Sequence, residues 1–503
     1  MAVDFSTRKR NAALPVREAR LGSITGYSGT LCDLAERSCA GTLKNRDRCF
    51  SQSSLCLSIC AITQLQGILD IAVVYHAPAG CCAGAARKLV LDQLTARAGR
   101  VSRTVLVGSD LNERDTVFGS GESLKEITRK TYEEYKPNAI FIASSCVTGV
   151  IGEDIDALAA ELAEELPVPV EPIHCEGFKS RIWASGFDIA DHAVLRALVK
   201  PPKEKRNVIV FKNFYESHRQ YITDIFHQIG METQFIYLNS TTEELARLSE
   251  AAAMVCVCGT LGTYLGNALE EEYGVPYIRT INFCGITGFE TWMREIGAKT
   301  GKSAEVEAYL AKERATYLPL IEALKKDLAG LRAVVGMGPG YTYEVTRALR
   351  ELGIEVVWAA AWHYDYQYDD NRVPPALAHL EASGGADIGL SVADMQNYEI
   401  MSILHRYKPD LYFSRHPGST VWAIKQGVAA FYVADEYTIF GYRNTYLFAQ
   451  AVLDTIRNRS FEKNLAAHIK LPYTDWWYQQ QTDMMLAPDT ALTPEAPAAW
   501  EAP

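Results

Sequence analysis

Three cysteines, Cys56, Cys81 and Cys146, carry the chemistry that this sequence most directly suggests. Each sits in an apolar, glycine-punctuated stretch. CLSICAITQLQGILDIAVVYHAPAGC runs from Cys56 to Cys81, and IFIASSCVTGVIGEDID surrounds Cys146. None belongs to a CxxC pair, which argues against a zinc ribbon or a ferredoxin-type run. Soft thiolates that converge from separate segments suit iron–sulfur clusters. Convergence needs a fold that gathers strand ends along one edge, as open parallel sheets do. The same residues also fit a plainer reading as buried structural thiols.

A fourth cysteine, Cys258, lies in MVCVCGTLGTYLGNALEEEYGVP, at the expected end of a strand and just before a glycine and a helix. A helix N-terminus favours negative charge, so this place suits a buried anionic cofactor. Cys256 would share the Cys258 face on a regular strand. Cys60 and Cys49 lie close to Cys56, and Cys82 adjoins Cys81. Arg87 and Lys88 could balance a polyanionic cluster or simply be solvated.

The elements that must position these residues alternate between strand and helix, the pattern of parallel α/β sheets. Strands are predicted at Ile71–Tyr75, Thr104–Val107 and Ala139–Ala143, with a helix over Glu153–Glu165. After the charged stretch Lys200–Arg206 come Asn207–Phe211, Thr233–Leu238, Ala253–Cys258 and Tyr277–Phe283. A third series follows at Leu331–Gly336, Ile354–Ala359, Asp387–Ser391, Leu411–Ser414 and Ala429–Val433. A chain of 503 residues exceeds one core. The expected fold is α/β, with three Rossmann-like domains over 1–200, 201–329 and 330–486, a cofactor site between them, and a flexible Ala/Pro-rich tail over 487–503. The composition, 48% hydrophobic and 22% charged, is that of a soluble globular chain. No apolar run reaches the ~20 residues a membrane span needs, and the N-terminus has no apolar signal core, so a cytoplasmic address is expected. A net charge of −11 argues against nucleic acid as a partner.

HAPAGC, SDLNERDTVFG, SSCVTGVIGEDID, HCEGFKS and CGTLGTYLGNALEEEYGVP, in that order, resemble the nitrogenase component 1 superfamily. The resemblance covers about residues 45–460 and points to the alpha chain and its assembly-scaffold paralogue. It implies that Cys56, Cys81 and Cys146 hold a P-cluster (8Fe-7S) shared with a homologous beta (K-type) subunit. It also implies that Cys258 binds a large iron–sulfur cofactor, 8Fe-9S-C or a heterometal variant. An α2β2 assembly served by a homodimeric ATP-dependent iron–sulfur reductase (H-type) follows from the same source. No GxxxxGK[ST] run occurs, so nucleotide hydrolysis is assigned to that other protein.

The departures from the family pattern bear on the substrate. After CEGF, Trp183 and Phe187 stand where catalytic alpha chains have glutamine and histidine. Gly338-Pro339 replaces an arginine turn. Ala434 or Asp435 occupies the place of the family's second cofactor ligand, a histidine. His363 and His416 stand at predicted strand ends, where a lone histidine is commonly just hydrogen-bonded. Trp183, Phe187 and His363 are the expected catalytic-pocket residues, and Asp435 and His416 are expected beside the cofactor. The resemblance extends to the D-type subunit of methylthio-alkane reductases. The expected activity is reductive C–S cleavage of a small volatile organic sulfur compound such as dimethyl sulfide. The alternatives are a cofactor-assembly scaffold and a dinitrogen reductase. A tetrapyrrole reductase subunit would have no use for Cys258.

Overall fold

The computed structural model describes residues 10–49, 56–86, 104–212, 216–256, 258–280, 283–367, 373–385, 387–393, 396–415, 417–433 and 439–488. Arg87, Lys88, His416, Ala434 and Asp435, and all but the first two residues of the expected tail, lie outside them. Three sheets organise the chain. The first contains β2 (Ile71–Tyr75), β3 (Val105–Gly108), β4 (Ala139–Ala143) and β5 (Val170–Ile173), in the order β3-β2-β4-β5, all parallel. The second contains β6 (Val208–Lys212), β7 (Glu232–Ile236) and β8 (Ala253–Cys256), in the parallel order β7-β6-β8. The third contains β9 (Arg332–Met337), β10 (Glu355–Ala361), β11 (Gly389–Ala393), β12 (Leu411–Ser414) and β13 (Ala429–Tyr432). Its order is β11-β10-β9-β12-β13. The α/β class with parallel sheets is therefore as the alternating pattern implies.

β2, β4 and β6 are buried on both faces, and each reads as a continuous apolar run closed by a polar or small residue. Apolar clusters pack against both faces of the first sheet, as parallel sheets require. In each sheet the chain winds out from one strand and then crosses back to that strand's other side. The crossover leaves a crevice at the carboxyl ends of β2 and β4, of β6 and β8, and of β9 and β12. These are the positions at which such sheets hold ligands.

Two sequence expectations need correction. Of the described residues in Tyr277–Phe283, only Tyr277 pairs with a strand, through an isolated bridge to Met254. Strand β8 ends at Cys256, so Cys258 lies beyond it, as the residue that caps the following helix. An element absent from the sequence reading is β1 (Gly26–Thr30), which pairs antiparallel with β11 along the edge of the third sheet. The N-terminal arm thereby joins the C-terminal sheet, although about 360 residues separate them in sequence. Among the described residues no helix is long and apolar enough to cross a membrane.

Helix Leu57–Leu65, which carries Cys56 at its start, packs closely against helix Ser185–Ala197. The approach depends on Gly186: a Cβ there would stand 2.4 Å from the Leu57 carbonyl oxygen and 2.9 Å from the Ala61 nitrogen. Those neighbours are backbone and cannot swing aside. Gly186→Ala should destabilise the chain by about 1–3 kcal/mol, the usual cost of overpacking. Gly80→Ala, where a Cβ would meet nothing within 4 Å, should fall within about 0.5 kcal/mol of the parent. Denaturant unfolding of the two variants checks both values.

Candidate functional site

The first group of candidate residues lies at the crevice of the first sheet. Cys81 sits in the helical segment 79–86 that follows β2. Cys146 opens helix Cys146–Ile151 after β4, and its start is held by a reciprocal cap between Ser145 and Thr148. Cys56 caps helix Leu57–Leu65. Gly177 arrives from β5 in a short 3-10 turn, Gly177–Lys179. A Cβ on Gly177 would lie 2.7 Å from the Cys56 sulfur and 3.3 Å from the Cys146 sulfur. The two sulfurs therefore flank Gly177, and a larger residue would intrude between them.

Cys81 belongs to the same group electrostatically. Burial pushes its thiol pKa up, and the charges of Cys56 and Cys146 push it further. A thiol held protonated by burial and by neighbouring sulfurs fits a cation that would neutralise it on binding. Among the described residues no set of three His, Cys, Asp or Glu side chains could hold a single metal ion. Cys81 and Cys146 are exposed and Cys56 is half-buried. An open, widely set trio of this kind fits a multi-iron cluster that takes its remaining ligands from another chain. Cys60 is buried elsewhere, in a cluster with Ile182, Trp183 and Ala184. Cys82 turns toward the carbonyls of Tyr75 and Ala77.

The second group surrounds Cys258, which is 6% exposed and caps helix Gly259–Tyr273. Cys256 is the last residue of β8, and its thiol donates to the Cys258 carbonyl oxygen at 2.6 Å. Lys212, the fully buried last residue of β6, donates its Nζ to Asp191 and to the Leu261 carbonyl. That pair of bonds ties the first turn of the Cys258 helix to the neighbouring strand.

Arg17 is the centre of this region, and no motif marked it. It is completely buried. Its Nε and Nη2 donate to both oxygens of Asp188 at 2.7 and 2.8 Å, and its Nη1 donates to Asp365 at 3.2 Å. Arg20 also donates to Asp188, and the Ser23 hydroxyl donates to Asp365. Burial alone would lower the Arg17 pKa; Asp188, Asp365 and, further down the order, Cys258 raise it above its ordinary value. Cys258 is thus within electrostatic reach of a buried cation.

Trp183 and Phe187 meet edge to face at 5.5 Å, and Trp183 lies 5.9 Å from Trp362. Phe187 precedes Asp188 on one helix. Trp362 and His363 directly follow β10. The Trp183 indole nitrogen and both ring nitrogens of His363 are buried with no hydrogen-bond partner. His363 Nε2 stands 3.6 Å from Asp365, just outside hydrogen-bond range. The thiol of Cys258, the Arg17 cation and these unpartnered ring nitrogens fit a large anionic group with sulfur acceptors. Arg17 could not be found from spacing, because its partners lie 171 and 348 positions away.

Comparison with known proteins addresses the family and the fold. The nitrogenase molybdenum–iron protein alpha chain of Methanococcus maripaludis is 25% identical over 373 residues, 70% of this chain and 76% of that protein. The nitrogenase iron-molybdenum cofactor biosynthesis protein NifE of the same species is 25% identical over 426 residues, 82% of each chain. The solved structure of nitrogenase Cp1 at pH 6.5 matches with a TM-score of 0.65 at 20% identity, over 84% of this chain and 93% of that one, which shows the fold. The model of the nitrogenase component 1 type oxidoreductases matches residues 56–457, and the chain belongs to that family.

Proposed function

We propose that this chain is the catalytic alpha subunit of a nitrogenase-like reductase that cleaves C–S bonds of small methylthio-alkanes. Cys56, Cys81 and Cys146 hold one side of a P-type cluster, and a homologous beta subunit holds the other in an α2β2 assembly. Cys258 holds a large iron–sulfur cofactor. When bound, these clusters store and deliver low-potential electrons, received one at a time from an ATP-hydrolysing iron–sulfur reductase. The chain's own residues supply position, charge balance and a dry pocket.

The observation that carries the substrate reading is the Trp183–Phe187–Trp362 wall. Its rings are largely apolar, and the Trp183 indole N–H is buried with no hydrogen-bond partner. Such a wall favours a neutral thioether, because sulfur makes favourable contacts with aromatic rings and an apolar lining imposes little desolvation cost on it. The reaction balances as dimethyl sulfide plus two electrons and two protons giving methane and methanethiol. The C–S bond breaks, carbon and sulfur each gain a hydrogen, and the reductase supplies both electrons.

Partner docking is supported by an exposed apolar rim around the cysteine trio. Phe118 is 82% exposed and Val150 78%, and Val117 and Phe178 are also exposed. Helix Glu113–Phe118 touches helix Cys146–Ile151, and the Phe178 ring faces Gly149. A rim of this kind around half-open thiols favours burial by another protein. A second reading, a cofactor-assembly scaffold, is favoured by the longer match to NifE.

Three outcomes test the proposal. Cys81→Ala or Cys146→Ala should lower the iron content of the purified heteromer and promote its dissociation, whereas Cys60→Ala should leave both near the parent; iron analysis and sedimentation measure this. Cys258→Ala should keep the interface cluster and the assembly but lose the large cofactor's iron and turnover. An iron count equal to that of the parent would contradict that ligand. The complete complex, assayed with its reductase, ATP and dimethyl sulfide, should release methane and methanethiol. Ammonia from dinitrogen as the main product, or no turnover together with cluster transfer to an apo-protein, would overturn the C–S reading.

A further inference from the structure

The second sheet ends in two side chains that reach for the same turn. Lys212 closes β6 and Cys256 closes β8, and the two are register partners across the parallel ladder. Register partners point to the same face of a sheet. Both are completely buried. The Cys256 thiol donates to the Cys258 carbonyl oxygen at 2.6 Å, and that oxygen also accepts the Leu261 amide at 2.9 Å. Lys212 donates its Nζ to the Leu261 carbonyl and to Asp191. The turn from Cys258 to Leu261 is therefore held at both ends by side chains from two neighbouring strands.

None of this favours the helix as a helix. A cation near a helix N-terminus opposes the macrodipole. Lys212 is matched instead by Asp191, whose side chain is also fully buried, and such a pair adds little net stability over an apolar substitute. Gly262 lies near the start of helix Gly259–Tyr273, where glycine is a poorer helix former than alanine. A Cβ there would stand 2.5 Å from the Cys256 sulfur and 2.9 Å from the Lys212 Cδ. The helix gives up a better helix former, and the interior takes in an ion pair, so that this turn can rest on the two strand ends. What the arrangement secures is the place of the turn, and Cys258 stands at its head.

We propose that Cys256 and Lys212 are positioning residues for Cys258, fixing the direction in which its sulfur meets the cofactor, and that Cys256 is not itself a ligand. This rests on the cofactor reading above. A large group held through a protein thiolate takes its orientation from the backbone that carries the sulfur. Hydrogen bonds to that backbone act on the site without touching the cofactor. Cys256 does so through its S–H, which a metal-bound thiolate lacks, so the role of donor and the role of ligand exclude each other.

The test uses the complete heteromer, with iron content and sedimentation measured for each variant. Cys256→Ser keeps a donor and should match the parent in iron, in the electron paramagnetic resonance line positions of the cofactor and in turnover. Cys256→Ala removes the donor. It should keep the iron, broaden or split the resonance, and lower turnover about tenfold, the scale on which groups that orient a ligand act. Cys256→Val, which refills the volume, takes its place if the alanine variant does not assemble. Lys212→Met combined with Asp191→Asn removes both charges together and should disturb the resonance in the same way. A parent-like resonance and turnover in the iron-loaded Cys256→Ala or Cys256→Val would overturn the positioning role of Cys256, and the same result in the double variant would overturn that of Lys212. Loss of cofactor iron in Cys256→Ser would make Cys256 a ligand, contrary to the proposal, while leaving the cofactor reading intact. A parent complex with no large cluster would overturn both, and its iron content shows this before any variant is made.

Discussion

A guanidinium with no access to water must be paired almost completely, and Arg17 is paired by carboxylates from two distant parts of the chain. Asp188 comes from the helix that packs under the first sheet, and Asp365 from the loop after β10 of the third sheet. Breaking either contact would leave a buried charge uncompensated, at a typical cost of about 3–5 kcal/mol. The pair of bonds therefore clamps the N-terminal helix between two layers that no single sheet connects. Neighbouring contacts reinforce the clamp. Arg17 N–H donates to Ser185, Glu18 accepts from the Arg181 and Ile182 amides, and His192 contacts the Asn11 carbonyl and the Tyr264 hydroxyl. β1 then continues the arm onto the exposed edge of β11, which also shields an edge strand from other chains.

The two cysteine sites answer opposite electrostatic problems. Cys81 and Cys146 are exposed and Cys56 is half-buried, and burial with the neighbouring sulfurs pushes the Cys81 thiol up. A cluster held by such a set and shared with a second chain would couple its loading to assembly. Cys258 is closed and shares its neighbourhood with a buried arginine. The first site opens to the surface of this chain, whereas the second is enclosed by it.

Family membership gives a redox role, and an aromatic cluster packs beside the buried clamp. Trp183, Phe187 and Trp362 pack ring against ring. Large aromatic groups fix the shape of a cavity with little conformational freedom, and they exclude water that would solvate a polar substrate.

Much of the fold was legible in the sequence. The buried strands Ile71–Tyr75, Ala139–Ala143 and Leu411–Ser414 appear in the structure with the bounds their apolar runs imply. Local periodicity suffices there because both strand faces are buried. β1 was missed because GYSGT has no apolar run; its pairing depends on a distant edge. β5, with VEPI, is equally unmarked. Tyr277–Phe283 looked strand-like, yet among its described residues only one bridge forms, since apolar content alone does not supply a neighbour.

The cysteines, the strand ends that carry them and the family motifs are properties of short segments, so the sequence by itself determined them. Which sulfurs face one another, the burial of Cys60 beside Trp183, and the Arg17–Asp188–Asp365 clamp were decided only by tertiary structure. The physical reason is range. Periodicity and capping act over a few residues, whereas the neutralisation of a buried charge depends on whichever side chains the packed sheets bring within a few ångströms, at any distance along the chain.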